Sequence, residues 1–363
     1  MRKTTAQFAV VATVAALALT GCSKKDDKGT DPSAAGTGGT ADVCKTADGD
    51  GPKIGLAYDV GGRGDQSFND SAYAGLAKAI GEFDGSCVEG EAQTGEAESV
   101  REDRLRQMAD DGATAIIGVG FAYSDAVNAV APDYPDVNFA VVDGYDPDKT
   151  PNDNVAYFSF AANESSYLVG VAAALTTKTD EVGFVGGVNN PLIQAFQAGY
   201  EAGVKAVDPK IKVDVSYIEE SDISGFNDPA GGKTAAAGEY DKGADVVYHA
   251  AGASGSGVFQ AAVEAGDGKW AIGVDSDQYL TVPSDQQSHI LTSALKRVDV
   301  ATYDFISSVN DGKADTGYVT YDLKNDGVGY STSGGFVDDI KSQIDEYAAK
   351  IKSGEIKVPS TVS

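Results

Sequence analysis

The chain has 363 residues, of which 55 are acidic and 28 basic, for a formal net charge of −27. A field of that sign repels phosphate backbones and argues against nucleic-acid binding, and it disfavours strongly anionic ligands wherever a local basic pocket does not override it. Three cysteines and two histidines leave little material for a metal centre, and their spacing with the acidic residues matches none.

Arg2 and Lys3 precede an almost uncharged apolar run from Phe8 to Leu19, followed by Thr20-Gly21-Cys22. That order predicts a secretory signal over 1–21, too short to remain as a spanning helix. The small residues before Cys22 match the lipobox of bacterial lipoproteins, so cleavage before an acylated Cys22 is expected. Two or more acyl chains, at about 0.8 kcal/mol per buried CH₂, would hold the chain on a membrane. An ordinary signal with an incidental cysteine is the alternative. Residues 22–52 are small and polar and cannot offset the entropy of ordering, which predicts a flexible tether. An exported chain with Cys44 and Cys87 left over suggests a disulfide between them, with two free thiols as the alternative. About 310 residues remain, enough for two full domains.

From residue 53 short β-branched runs alternate with amphipathic stretches, the pattern of βαβ units on a mainly parallel sheet. Strands are predicted at 53–58, 86–92, 115–119, 138–142 and 155–158, with helices at 69–83, 99–111 and 123–131. After a helix at 164–177 the rhythm restarts. Strands follow at 181–185, 212–218, 245–250 and 270–274, with helices at 192–207, 229–242 and 258–265. A strand at 290–295 and helices at 299–310 and 337–352 are left over. Two similar lobes with leftover elements predict several crossovers between them.

Ligands of open α/β sheets bind at the carboxyl ends of the strands. The residues that follow the predicted strands are therefore the candidate site. After the first strand comes Asp59-Val60-Gly61-Gly62-Arg63-Gly64-Asp65-Gln66-Ser67-Phe68-Asn69. Its glycines permit a tight loop, Ser67 or Asn69 can cap the next helix, and Phe68 offers either a staple onto that helix or a platform for a flat ring. Asp143 emerges from an apolar strand, either as a turn residue or as a ligand contact. In the second half Asn189, Asn190 and Gln194, then Phe226, Gly252 to Gly257, and Asp275 with Asp277 occupy the matching positions.

Catalytic candidates are scarce. His249 lies in an apolar strand and reads as a packed core residue, and no Gly-x-Ser-x-Gly elbow has suitable partners. Gly252 to Gly257 is an incomplete dinucleotide fingerprint, and the phosphate-loop likeness at 227–234 has Asn227 where its first glycine belongs. A carboxylate-based glycosidase is the enzyme class left open; the expectation is a binding protein.

The Asp59 to Asn69 segment resembles the basic membrane protein family of bacterial lipoproteins, the purine nucleoside receptor type of ABC substrate-binding protein. The resemblance continues through Gly118-Val119-Gly120-Phe121, Leu168 to Ala173, Val182 to Gly187, Tyr240 to Val247, Gly273 to Gln278 and Leu295 to Asp299. It implies an α/β, type I periplasmic-binding-protein fold, with two doubly wound Rossmann-like lobes joined by three crossovers. Lobe 1 is expected at 53–159 plus 276–312, and lobe 2 at 160–275 plus 313–363. It implies further that Phe68 and Phe226 stack on a purine, that Asp59, Asn69 and Asp143 address the base edge, and that Asp275 with Lys296 beside it holds the ribose while Gly252 lets backbone approach the sugar. The expected partners are a purine nucleoside and permease subunits, with the chain monomeric on the outer face of the cell membrane and without cofactor or metal. A receptor for a sugar or other small metabolite, or a ligand-sensing regulatory lipoprotein, are the alternatives.

Overall fold

The structure is a computed structural model and describes residues 42–146 and 152–362. The expected signal, Cys22 and most of the tether lie outside the described residues. A single turn, α1 (Val43–Thr46), leads into β1 (Lys53–Tyr58), α2 (Phe68–Phe83), β2 (Ser86–Glu91), α3 (Glu98–Asp110), β3 (Ala115–Val119), α4 (Ser124–Val130), β4 (Asn138–Val142) and β5 (Val155–Phe160). The second run is α5 (Ala162–Thr176), β6 (Glu181–Val188), α6 (Pro191–Val207), β7 (Lys212–Glu219), α7 (Pro229–Lys242), β8 (Val246–Ala250), α8 (Gly255–Ala265), β9 (Trp270–Asp275) and β10 (Ile290–Lys296). Then come α9 (Val298–Asn310), β11 (Gly317–Tyr321), β12 (Val328–Tyr330) and α10 (Lys341–Ser353).

Strands such as β3 are apolar at every position and buried throughout, as parallel strands covered on both faces must be. Helix starts follow local chemistry. Asn190 accepts the Ile193 N–H and Asp228 the Gly231 N–H, each followed by a proline whose missing N–H costs nothing in a first turn.

Among the described residues the strands form two six-stranded sheets, ordered β11-β5-β4-β3-β1-β2 and β12-β10-β9-β8-β6-β7. Apart from the antiparallel β10–β12 pair, all neighbours run parallel. Separate apolar clusters cover the two faces of each sheet, so each lobe is a three-layer α/β unit of the expected fold. Register levels the strand ends: Ala57 pairs with Gly118, Val119 with Val142, and Leu295 with Asp275. The residues that follow β1, β3 and β4 therefore emerge on one edge of their sheet.

The chain passes between the sheets three times, after Phe160, after Lys296 and after Tyr321. Two of these points differ from the sequence reading. Residues 276–296 stay with the second sheet, because the apolar run of β10 continues the parallel ladder beside β9. Residues 313–321 stay with the first, where β11 pairs with β5 as an edge strand of alternating exposure. Such an edge strand carries too weak an apolar signal to be read from sequence. Near the amino end Cys44 and Cys87 are joined in a disulfide that fastens α1 beside β2.

Helices α5 and α6 approach closely enough that three glycines are required. A Cβ at Gly203 would stand 2.1 Å from the Tyr167 carbonyl oxygen, one at Gly199 2.1 Å from that of Asn163, and one at Gly170 2.3 Å from that of Tyr200. Gly203→Val should therefore push the helices apart and lose about 1–3 kcal/mol or more in urea unfolding. Gly238→Ala, on α7 with nothing within 4 Å of the new methyl, should instead gain up to about 1 kcal/mol from helix propensity. Equal effects in the two variants would contradict the packing argument.

Candidate functional site

The strand ends of the two lobes face each other across one cavity. Its space is about 570 Å³, counting the part open to solvent. The eight residues to which the resemblance assigns ligand contacts all line it: Asp59, Phe68, Asn69 and Asp143 from lobe 1, and Phe226, Gly252, Asp275 and Lys296 from lobe 2. It also takes in Asp65, Gly120 and Phe121 on one side and Leu192, Ile193 and Phe196 on the other.

The loop between β1 and α2 is organised by Asp65 and not, as expected, by Ser67 or Asn69. One Asp65 oxygen accepts the backbone N–H groups of Ser67 (3.0 Å) and Asp70 (3.1 Å). The other accepts the Asn69 N–H (2.8 Å) and the Asn69 side-chain amide (3.1 Å). Burial nevertheless pushes its carboxyl up to about 7, because desolvation outweighs the donors that favour the charge. Asn69 Oδ1 then accepts the Asp59 N–H at 3.1 Å, which ties the start of the helix to the end of β1. Asp59 accepts the Val60 N–H at 2.8 Å. Burial pushes it up to about 6, against the pull of that N–H and of Arg101.

Asp143 and Asp275 hold equivalent places in the two lobes, at the carboxyl ends of β4 and β9, and both adopt left-handed backbone, with φ of 57° and 62°. Non-glycine residues pay for that conformation, and they persist in it mainly where the surroundings over-determine them. Lys296, the last residue of β10, lies between the lobes. Its ammonium pairs with Asp143, with the side chains 3% and 5% exposed. The nitrogen also lies 4.7, 5.0 and 5.8 Å from the ring centres of Phe68, Phe160 and Phe196. The expected place of Lys296 beside Asp275 is thus refined: its direct partner is Asp143, while its charge also favours the ionised form of Asp275. Asp275 instead accepts the Ser67 hydroxyl at 2.7 Å. Its carboxyl sits above the usual range because burial outweighs the stabilising Lys296 charge and Ser67 hydrogen bond.

Gly252 has φ of 54°, and a Cβ there would stand 3.2 Å from the Phe226 carbonyl oxygen. The glycine thus lets the β8 loop run beside the Phe226 loop. Asn189, Asn190, Gln194 and Asp277 stay out of the cavity: Asn190 caps α6, Gln194 donates to Asn189 at 2.9 Å, and Asp277 accepts the Ser333 hydroxyl at 2.6 Å. Phe196 went unnoticed because its spacing from Leu192 and Ile193 is that of any apolar helix face. His249 is fully buried, and burial lowers it to about 4. Among the described residues one group has metal-ligand spacing, Asp42, Cys44 and Glu89, but the Cys44 sulfur is spent on the disulfide.

Four carboxylates and one paired ammonium around partly buried rings make a cavity rich in hydrogen-bond acceptors. It suits a neutral ligand with donors and a flat apolar face.

Comparison with known proteins agrees with this geometry. The family described as ABC transporter substrate-binding protein PnrA-like (Bmp) matches residues 53–362. The chain is 35% identical over 379 residues to the ABC transporter nucleoside-binding protein BmpA of Lactococcus lactis, covering 99% of this chain and 100% of that protein. It is 34% identical to basic membrane protein A of Borreliella burgdorferi, over 85% of this chain and 88% of that one. Among solved structures, an ABC transporter solute-binding protein of Aeropyrum pernix superposes with a TM-score of 0.73 at 30% identity, over 85% of this chain and 94% of that chain. The chain is a substrate-binding protein and not an enzyme, and it belongs to the Bmp family of PnrA-like ABC transporter substrate-binding proteins.

Proposed function

We propose that the chain is an extracytoplasmic receptor, anchored through acyl chains on Cys22, that captures a purine nucleoside between its lobes and hands it to ABC permease subunits as a monomer. The observation that carries this reading is the composition of the cleft: Phe68 from one lobe and Phe226 from the other border the same cavity as the carboxylates of Asp59, Asp143 and Asp275. Two rings brought together by closure can sandwich a purine, each face contributing on the order of 1 kcal/mol beyond area burial. Asp59, Asn69 and Asp143 supply polar atoms for the base edge. Asp275 accepts the two ribose hydroxyls, which discriminates against deoxy analogues by leaving its oxygens unpaired. The same carboxylates repel a phosphate, which favours a nucleoside over a nucleotide. The nucleoside-binding name of the Lactococcus relative supports the reading.

Calorimetry with adenosine, guanosine, inosine and ribose tests it. Heat with at least one nucleoside and none with ribose is expected, and no heat with any nucleoside would sink it. Phe68→Ala should weaken nucleoside binding at least tenfold, about 1.4 kcal/mol, whereas a ligand without a flat ring would be almost indifferent. The site should also be pH-dependent. Burial pushes the Asp59 carboxyl up to about 6, and its ionised form is the stronger acceptor for an N–H of the base, so tight binding at lower pH requires a proton to leave. Affinity should hold above that value and fall, approaching tenfold per unit, below it. A flat profile between pH 5 and pH 7 would remove Asp59 from base recognition.

A further inference from the structure

We propose that Ser67 is a positioning residue for Asp275 and the centre of a latch that holds the two lobes shut; the positioning role toward the ligand rests on the nucleoside reading, and the latch does not. Because Asp65 caps α2, the buried Ser67 hydroxyl is free, and it donates across the cleft to Asp275 Oδ2 at 2.7 Å. A hydroxyl has one hydrogen, and the carboxylate is a stronger acceptor than the Val274 carbonyl oxygen 3.2 Å away.

Lobe 2 answers with hydrogen bonds of its own, the shortest two from Ser276 and Gln278. Ser276 Oγ donates to the Ser67 carbonyl oxygen at 2.9 Å, and Gln278 Nε2 to the Gln66 carbonyl oxygen at 3.1 Å. The Gln278 amide is held in one orientation. Its Oε1 accepts the Val274 N–H at 2.8 Å and faces His249 Nε2 at 3.0 Å, while His249 Nδ1 is buried without a partner. The neutral ring therefore carries its hydrogen on Nε2, and the Gln278 amide nitrogen is left facing lobe 1.

Ser67, Ser276 and Gln278 do not line the cavity, but Asp275 does. The same loop-to-loop contact thus joins the lobes and aims the carboxylate at the ligand. Closure and ligand recognition become one linked equilibrium through Asp275.

The full chain and two variants test this with stopped-flow binding of inosine and 2′-deoxyinosine. Ser276→Ala removes a lobe-to-lobe bond without touching the cavity and should raise the inosine dissociation rate about fivefold with an unchanged association rate. Ser67→Ala should raise it roughly tenfold or more and also narrow the preference for inosine over its deoxy analogue. Dissociation within twofold of wild type in both variants overturns the latch, and undiminished discrimination in Ser67→Ala overturns the positioning role. If the wild type binds no nucleoside, the nucleoside reading fails on its own, and amide hydrogen exchange of the ligand-free chain decides the latch. Faster exchange over 276–281 in Ser276→Ala supports it; exchange equal to wild type overturns it.

Discussion

A lysine ammonium is buried at the seam between the two lobes, and the cleft is organised around meeting its charge. Withdrawing such an ion from water costs several kcal/mol unless a partner and further favourable contacts replace the hydration. Lys296 finds the Asp143 carboxylate and the faces of three phenylalanine rings, on Phe68, Phe160 and Phe196, whose quadrupoles attract a cation. These groups come from both lobes. Lys296 ends β10 in lobe 2, at a point where the chain crosses over, while Asp143 ends β4 in lobe 1. The pair is therefore compensated only when the lobes are together, and separation would have to let water in.

The geometry around the lysine follows from the repeat of one architecture. β4 and β9 occupy the same place in their sheets, and each delivers an aspartate in left-handed backbone to the shared edge. One of these carboxylates is neutralised by Lys296. The other leans on a serine of the opposite lobe and keeps an incompletely compensated charge. The two equivalent positions thus differ in their partners: Asp143 pairs with a buried lysine, whereas Asp275 accepts from a serine of the opposite lobe, and both line the cavity. The remaining carboxylates, Asp59 and Asp65, belong to a single loop whose helix cap and strand end are stitched together through Asn69.

Much of this was legible before any coordinates. The strands at 53–58, 115–119 and 138–142 are unbroken apolar runs whose ends are punctuated by Asp or Gly, and the rule that ligands sit at such ends reaches Asp59, Phe68, Asn69, Asp143, Phe226, Gly252 and Asp275, while Lys296 came only from the family resemblance; all eight line one cavity. Three things were not legible, each for a physical reason. β11 is an edge strand whose alternating exposure resembles a polar loop, so the third crossover was misplaced. The partner of Lys296 lies 153 positions away, and two aspartates of equal chemical merit compete for it; only the packed lobes choose Asp143. The capping role of Asp65 was hidden because Ser67 and Asn69 are equally good caps by type, and the choice depends on Ser67 being drawn toward the other lobe.

A structure determined from crystals grown with inosine or guanosine bears most directly on the account. It should show the base between Phe68 and Phe226 and the ribose hydroxyls on Asp275, with Lys296 still paired to Asp143. A nucleoside bound outside this cavity, or a base that contacts neither ring, would contradict it.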